Sequence, residues 1–422
     1  MEKLTRFLGI RPGETKTVWL FFAHNFLLGM GTILVYVTAN VLLLEVNPER
    51  NLPLAYCVGA LAMMAVGKLY AHFEHHWLLQ KLAVRALLVA VVLTLVLTLL
   101  LLLGPSVTTA VAIMTGYRLI YLLTNLEFWG MSAVVFNVRQ GRRLFSIISA
   151  GDMPAKAIGA VLAVVVHAYN ELYVLLLTAC GAYVLASVIQ RATFKSRQVV
   201  ARPGAPRVAR PEQSALVRQV FGASPLIHAM GLSLTAIAAV AVGVEYIFFV
   251  NVKYKLQDQT TILQYVGGVL ALTYLLAMLF KLLFTRRGID WLGVRWTLAL
   301  LPLTALAGIL LFGALEVAAV GPAVLLVYFG GLYLTLEVLR QALFEPVFLV
   351  LFQPLTPLER LEGHTLAKGF YEPLGLGLGA YCCWACMAHR PLTSGCRLCG
   401  WGCCCWRLFS CCSARTGNIW MS

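Results

Sequence analysis

Apolar residues in this chain come in long runs rather than in the alternating patterns that are typical of a soluble domain. Eleven runs approach or exceed the roughly 20 apolar residues that a helix needs to cross a bilayer. Helices are favoured because backbone polar groups in lipid must bond within their own segment. The predicted spans cover residues 17–45, 52–72, 82–103, 106–136, 144–168, 171–189, 225–251, 260–284, 291–314, 318–352 and 364–388. We therefore predict an all-α polytopic membrane protein embedded in the lipid bilayer.

Composition supports this class and excludes a soluble enzyme. Of the 422 residues, 60% are hydrophobic and 12% are charged, whereas about a quarter of the residues of a soluble domain are charged. The formal net charge of +15 would suggest a nucleic-acid partner in a soluble protein. Here the basic residues concentrate in loops between spans, so we expect no nucleic-acid partner.

Lys and Arg residues predict the orientation, because cytoplasmic loops retain them. Twenty-one fall in the N-terminal segment and the connections on the same side, where we count Lys281 at the end of span 8. The opposite connections carry only Arg50, Lys253 and Lys255. This asymmetry predicts a cytoplasmic N-terminus in the cell inner (plasma) membrane. The first apolar run exceeds a signal-peptide core, so we expect an uncleaved first helix.

A basic, Pro-containing segment, RATFKSRQVVARPGAPRVARPEQSALVRQ (191–219), divides the chain. It predicts an N-terminal six-helix bundle over 1–190, a cytoplasmic linker over 191–222 and a C-terminal bundle of about five helices over 223–381. Dipeptides recur across the linker at offsets of 210 to 217 residues: Leu126-Glu127 with Leu336-Glu337, Trp77-Leu78 with Trp291-Leu292, and Arg143-Leu144 with Arg360-Leu361. An even number of spans separates the partners, which predicts a parallel repeat like that of the two halves of major facilitator transporters.

Ionisable residues within the predicted spans are functional candidates, because charge at bilayer depth is costly unless it is paired or wetted. The basic candidates, which we assign to substrate binding, are Arg118, Lys156, Arg340 and Lys368. The acidic candidates, which we assign to coupling or gating, are Glu127, Asp152, Glu245, Glu337 and Glu372. They fall in corresponding spans of the two halves, which places them around the central axis.

Spacing separates the paired charges from the isolated ones. Three pairs lie on one helix face each, at three or four residues: Asp152 with Lys156, Lys368 with Glu372, and Glu337 with Arg340. The residues of such a pair either bind a substrate or only neutralise each other's charge in lipid. For Glu337 and Arg340 the spacing leaves both interpretations open.

Arg118 is the strongest candidate for an anion-binding group. Glu127 is nine residues away, about 13 Å along a helix, so the two cannot neutralise each other directly. A guanidinium with five donors suits phosphate or carboxylate. Glu245 has no basic residue within a helical turn. It either pairs with a base from another helix or titrates, which would suit proton coupling.

Other chemistry has little support in the sequence. The cluster of His72, Glu74, His75 and His76 after span 2 is too closely spaced on a short loop to favour a metal site. The chain contains no nucleotide-binding or nucleophile motif of the soluble enzyme folds, and we assemble no catalytic triad at one depth. We therefore predict no enzyme activity, no cofactor and no metal.

Two segments carry a resemblance to a known family. The segment LEFWGMSAVVFNVRQGRRLFSIISAGDMPAKAIGAVL (126–162) contains Trp129, Asn137, Arg143-Leu144-Phe145 and Ala150-Gly151. The segment LEVLRQALFEPVFLVLFQPLTPLERLEGHTLAKGFYEPLGLGLG (336–379) contains Gln353-Pro354, Arg360, Lys368-Gly369 and Glu372-Pro373. Both resemble the bacterial and plastid ATP/ADP translocase family, over roughly residues 10–380. The resemblance implies a major-facilitator-like bundle of 6+6 helices with alternating access, and exchange of nucleotides such as ATP and ADP or of other phosphate anions.

We accordingly expect a secondary-active antiporter that binds a small-molecule anion and acts as a monomer. The alternatives are a proton-coupled carrier of another small solute, using Glu245 or Asp152, and a membrane sensor or scaffold that transports nothing.

The C-terminal tail departs from the rest of the chain. Residues 382–422 hold ten of the twelve Cys, and CRLC (396–399) lacks the regularly spaced partners of a zinc site. In a GC-rich gene, CTG codons for Leu read one base forward give TGC, which encodes Cys. We therefore predict that a shifted reading frame replaces the end of span 11 and all of span 12, so that the last helix is missing or altered.

Overall fold

The computed structural model describes residues 11, 13–45, 47–104, 106–136, 140, 144, 147–169, 171–196, 225–256, 258–283, 285–318, 321–351 and 357–389. These residues fold into eleven long helices at the predicted spans: α1 (Thr15–Glu45), α2 (Pro48–His76), α3 (Leu79–Leu102), α4 (Val107–Val135), α5 (Asp152–Tyr169), α6 (Tyr173–Ser196), α7 (Pro225–Lys255), α8 (Gln259–Leu283), α9 (Thr285–Val317), α10 (Pro322–Leu351) and α11 (Pro357–His389). No strand occurs among them, so the all-α prediction is confirmed.

Ten of the described helices, α1 to α10, have segments long and apolar enough to cross a membrane. The eleventh, α11, coincides with predicted span 11, but Glu372, Pro373 and several glycines lower its mean hydropathy. The chain is thus a polytopic helical membrane protein. Residues from 390 onward, with most of the Cys-rich tail, and residues 197–224, with most of the linker, lie outside the described part.

Both late helices contain a π-helical segment in which the backbone bonds skip one more residue than in an α-helix. In α10 this segment is Arg340–Phe344, and in α11 it is Ala367–Tyr371. Such segments occur frequently at functional sites. Each contains one of the predicted substrate-binding cations, Arg340 or Lys368.

Local sequence explains several helix ends. Pro48 and Pro322 open α2 and α10, where the missing N–H costs no helical hydrogen bond. The Ser106 side chain accepts a hydrogen bond from the Thr109 N–H at 3.1 Å and caps α4. Asp258 caps α8, and the hydrogen bond from the Thr261 backbone lowers the pKa of its carboxyl below the ordinary value.

Helices of each half pack on one another, and the halves meet along two seams. In the first half α1 packs on α5 and α6, and α3 packs on α4 and α6. In the second half α7 packs on α10 and α11. The seams pair α2 with α11 and α5 with α8, which relates the second and fifth helices of opposite halves. This parallel symmetry agrees with the sequence repeat.

The α2–α11 seam is built on small residues. A Cβ atom on Gly67 would lie 2.6 Å from the carbonyl oxygen of Gly369, so only glycine permits this approach. The outer helices instead carry exposed leucines, such as Leu88 and Leu99 on α3 and Leu310 on α9. These side chains form the surface that we expect to contact lipid.

Candidate functional site

A cavity lies between the two halves, which we call the central cavity. It measures about 870 Å³ with the open space at its mouth included. Its walls combine α1, α4 and α5 of the first half with α7 to α11 of the second. Predicted site residues from both halves line it: Arg118, Lys156, Glu245, Glu337, Arg340 and Glu372.

Arg118 and Glu245 form an ion pair between the halves. The Arg118 Nη2 atom lies 3.4 Å from a Glu245 carboxylate oxygen, and both side chains are about nine-tenths buried. The hydroxyl of Tyr36 donates a hydrogen bond of 2.8 Å to the same carboxylate. The Arg118 guanidinium also lies over the ring of Tyr56 at 5.0 Å. Glu245 therefore has its basic partner on another helix, one of the two possibilities that the sequence left open.

The Nε atom of Arg118 is buried and has no hydrogen-bond partner. The guanidinium consequently retains donor capacity beside the cavity, although one of its nitrogens faces Glu245.

Lys156 contacts one residue of its own helix and one residue of the other half. Its Nζ atom lies 2.7 Å from an Asp152 carboxylate oxygen, one helical turn away on α5. It also lies over the ring of Tyr274, on α8 across the seam, at 5.4 Å. The predicted intrahelical pair therefore forms, while Lys156 still lines the central cavity.

Glu337 and Arg340 form the most closely bonded of these pairs. Two nitrogens of Arg340 donate to the two Glu337 oxygens at 2.8 and 2.7 Å, in a bidentate arrangement. The Gln341 amide adds a bond of 2.9 Å to Glu337. Arg340 is the first residue of the π segment of α10, and its side chain lines the central cavity.

Lys368 and Arg340 both line a neighbouring cavity of about 530 Å³, which we call the Lys368 cavity. The Lys368 Nζ atom lies 3.0 Å from Glu372 on its own helix and 3.9 Å from Glu345 on α10. Arg340 and Glu372 line both cavities, so Lys368 borders the same polar region as the other three cations.

Glu127 lies apart from these cavities, in a fully buried cluster of the first half. His24 Nε2 is 3.0 Å from one of its oxygens, and the Gln190 amide donates to the other at 2.5 Å. Neither His24 nor Glu127 has any solvent exposure. Glu127 is absent from the walls of the cavities described here, and its coupling or gating role stays a prediction. His24 is a histidine within predicted span 1, and an imidazole at that depth is a signal from which a buried polar partner could have been predicted.

A third cavity, of about 630 Å³, is lined by Asp152, Lys156, Lys281 and Glu345. We call it the Lys281 cavity. The prediction that Lys281 lies in a cytoplasmic loop is wrong, because it occupies the last turn of α8 and is 7% exposed. A Lys near the end of a span is usually a loop residue, whereas this one is packed among helices. Glu345 and Lys281 join the candidate site.

The cluster near the end of α2 offers no metal site in the described residues. His72 and His76 lie on the helix itself, not on a loop, with ring centroids 4.4 Å apart. No group of three His, Cys, Asp or Glu side chains that could hold a metal occurs among the described residues.

The arrangement of the described helices is similar to that of solved membrane transporters. A structure of a mutant of the nucleoside transporter NupG has a TM-score of 0.61 and 10% identity, and the similarity covers 95% of this chain and 99% of that one. A bacterial homologue of the iron transporter ferroportin, in an outward-facing state with soaked iron, has a TM-score of 0.62 and 13% identity over 93% and 98%. At these identities the similarity establishes the fold alone. Neither a scan against protein-family models nor a search of curated proteins gives a match.

Proposed function

We propose that this protein is a secondary-active transporter that moves a small organic anion by alternating access, with nucleotides or related phosphate compounds as the substrate class. The observation that carries the proposal is the central cavity, where Arg118 and Lys156 of one half face the same space as Arg340 of the other. A large anion could bind both halves at once, and rocking of the halves about it would expose the site to each side in turn.

The Arg118–Glu245 pair suggests how binding would be coupled to movement. An anion that binds Arg118 would compete with Glu245 for the guanidinium. Loss of this pair would remove one link between the halves and favour their separation. If the two halves reorient only when the site is loaded, the carrier exchanges substrates rather than running empty.

Support for a nucleotide-like substrate is of three kinds. The resemblance to ATP/ADP translocases points in that direction, and one structural neighbour is described as a nucleoside transporter. The central cavity also places the rings of Tyr117, Tyr121, Tyr274 and Tyr333 near the cations. Aromatic rings of this kind suit a planar base.

Counterflow in proteoliposomes tests the proposal. Vesicles that contain the purified chain and an internal load of ATP should accumulate labelled ATP or ADP. We expect Arg118→Gln to lower this uptake about tenfold or more, because a charged hydrogen bond to the substrate is lost. Arg118→Lys should retain part of the activity, and Lys81→Gln, on the exposed surface of α3, should match the wild type. Full uptake by Arg118→Gln would contradict the assignment of Arg118 to anion binding.

A proton-coupled carrier is the second candidate, favoured by the position of Glu245. This carboxylate lines the central cavity and contacts both Arg118 and Tyr36. Uptake driven by a pH gradient, without any internal load, would support this candidate over exchange. If neither condition gives uptake, a sensor or scaffold becomes the better interpretation.

A further inference from the structure

Among the cations of the three cavities, Lys281 differs in how its charge is balanced. The other four each have a carboxylate within 3.4 Å: Arg118 with Glu245, Lys156 with Asp152, Arg340 with Glu337 and Lys368 with Glu372. Among the described residues, Lys281 has no carboxylate within 4.0 Å. A positive charge buried to this extent is costly unless an anion or water compensates it.

The hydrogen bonds of Lys281 are also incomplete. Its Nζ atom donates to the carbonyl oxygen of Ser149 at 3.5 Å, the limit of a hydrogen bond. An ammonium group has three donors, so two remain for a ligand in the Lys281 cavity. In the wall of the same cavity, the buried Oδ1 atom of Asn125 has no partner. The cavity therefore presents unsatisfied polar groups on two sides.

The rest of the wall contains two further charges that limit what could bind. Asp152 is held by Lys156 at 2.7 Å, and Glu345 lies 3.9 Å from Lys368. Both carboxylates are thus already oriented toward other cations. Among the described residues, Lys281 is thus the cation of this wall without a carboxylate in direct contact.

From this geometry we infer that Lys281 is the residue that binds the phosphate of the substrate in the Lys281 cavity. The inference rests on the proposed function and deepens it: the substrate class is a phosphate compound, and the cavity is its first docking position on the side where α8 ends. Asn125 and the ring of Trp129 in the same wall would contact the remainder of the molecule. The Lys281 and central cavities share Lys156 and Tyr121, so the substrate could pass between them.

A protection experiment on the purified full-length chain tests the site without any variant. Amine-reactive labelling of Lys281 is measured by mass spectrometry in the presence of inorganic phosphate, ATP or adenosine. We expect phosphate and ATP to slow the labelling of Lys281 severalfold, and adenosine to have no effect. Lys81 on the exposed surface should be labelled equally in every sample. Equal labelling of Lys281 with and without both phosphate compounds would overturn the inference.

Binding measurements on variants separate a ligand role from a structural one. Lys281→Gln should weaken the binding of both ATP and inorganic phosphate by about 10- to 100-fold, and Lys281→Arg should recover most of it. Unchanged affinity in Lys281→Gln would contradict the site. If wild-type vesicles show no counterflow while phosphate still protects Lys281, the transport proposal fails and the anion site stands. If counterflow occurs and phosphate does not protect Lys281, the anion site fails and the transport proposal stands.

Discussion

The His24–Glu127 contact is fully buried, and its hydrogen-bond partners indicate the tautomer of the histidine. His24 Nδ1 lies 3.1 Å from the carbonyl oxygen of Ala186, which can only accept, so this nitrogen carries a hydrogen. The other ring nitrogen faces the Glu127 carboxyl group at 3.0 Å. This buried contact ties α1 to α4.

We expect replacement of His24 to destabilise the fold strongly, because Glu127 would lose its buried partner. His24→Leu leaves Glu127 as an uncompensated buried carboxylate, and we expect a loss of about 3–5 kcal/mol in the free energy of unfolding. Adding Glu127→Gln should restore part of this loss, since an amide needs no countercharge and still accepts from Gln190. Thermal unfolding of the purified variants measures both effects. A double variant that is less stable than His24→Leu would refute this explanation.

The sequence predicted which segments form helices and roughly where each helix begins and ends. It did not predict the rotation of each helix about its own axis. All eleven predicted spans correspond to helices, because uninterrupted apolar runs are a strong signal. A helix that is apolar on all sides carries little information about which face points inward. The π segments beginning at Arg340 and Ala367 shift by one residue which side chains face inward. Nothing in the local composition predicts these segments.

The α2–α11 seam makes a prediction about close helix packing. Gly67→Ala would bring a methyl group to 2.6 Å from the Gly369 carbonyl oxygen, so the helices must move apart. We expect lower stability, by about 1–3 kcal/mol, and slower counterflow, because the seam joins the two halves. Thermal unfolding and initial uptake rates measure the two effects.

Gly268→Ala provides the control for this seam. This residue lies in the middle of α8, and a Cβ atom there would meet nothing within 4 Å. It should behave as the wild type in both assays. Equal effects of the two substitutions would show that helix flexibility, rather than packing, accounts for the result.

For the whole molecule, the sequence predicted the two halves but not the contacts that join them. The dipeptide repeat indicated parallel halves, and the seams have that symmetry. The Arg118–Glu245 pair joins residues 127 positions apart, and no periodicity within either helix indicates such a partner. Lys281 could not be placed from the sequence, because a Lys at a span end is usually a loop residue and here the helices packed around the end of α8 bury it.

The inter-half ion pair yields a prediction that separates its structural role from its role in transport. Arg118→Glu or Glu245→Arg alone places two like charges in one buried contact, and each should cost about 3–5 kcal/mol of stability. The combined exchange restores opposite charges and should return most of the unfolding temperature. Counterflow of a phosphate anion should nevertheless stay low, because the cation then projects from α7 rather than from α4. Recovery of counterflow together with stability would show that the pair only holds the halves together and that Arg118 does not bind the substrate.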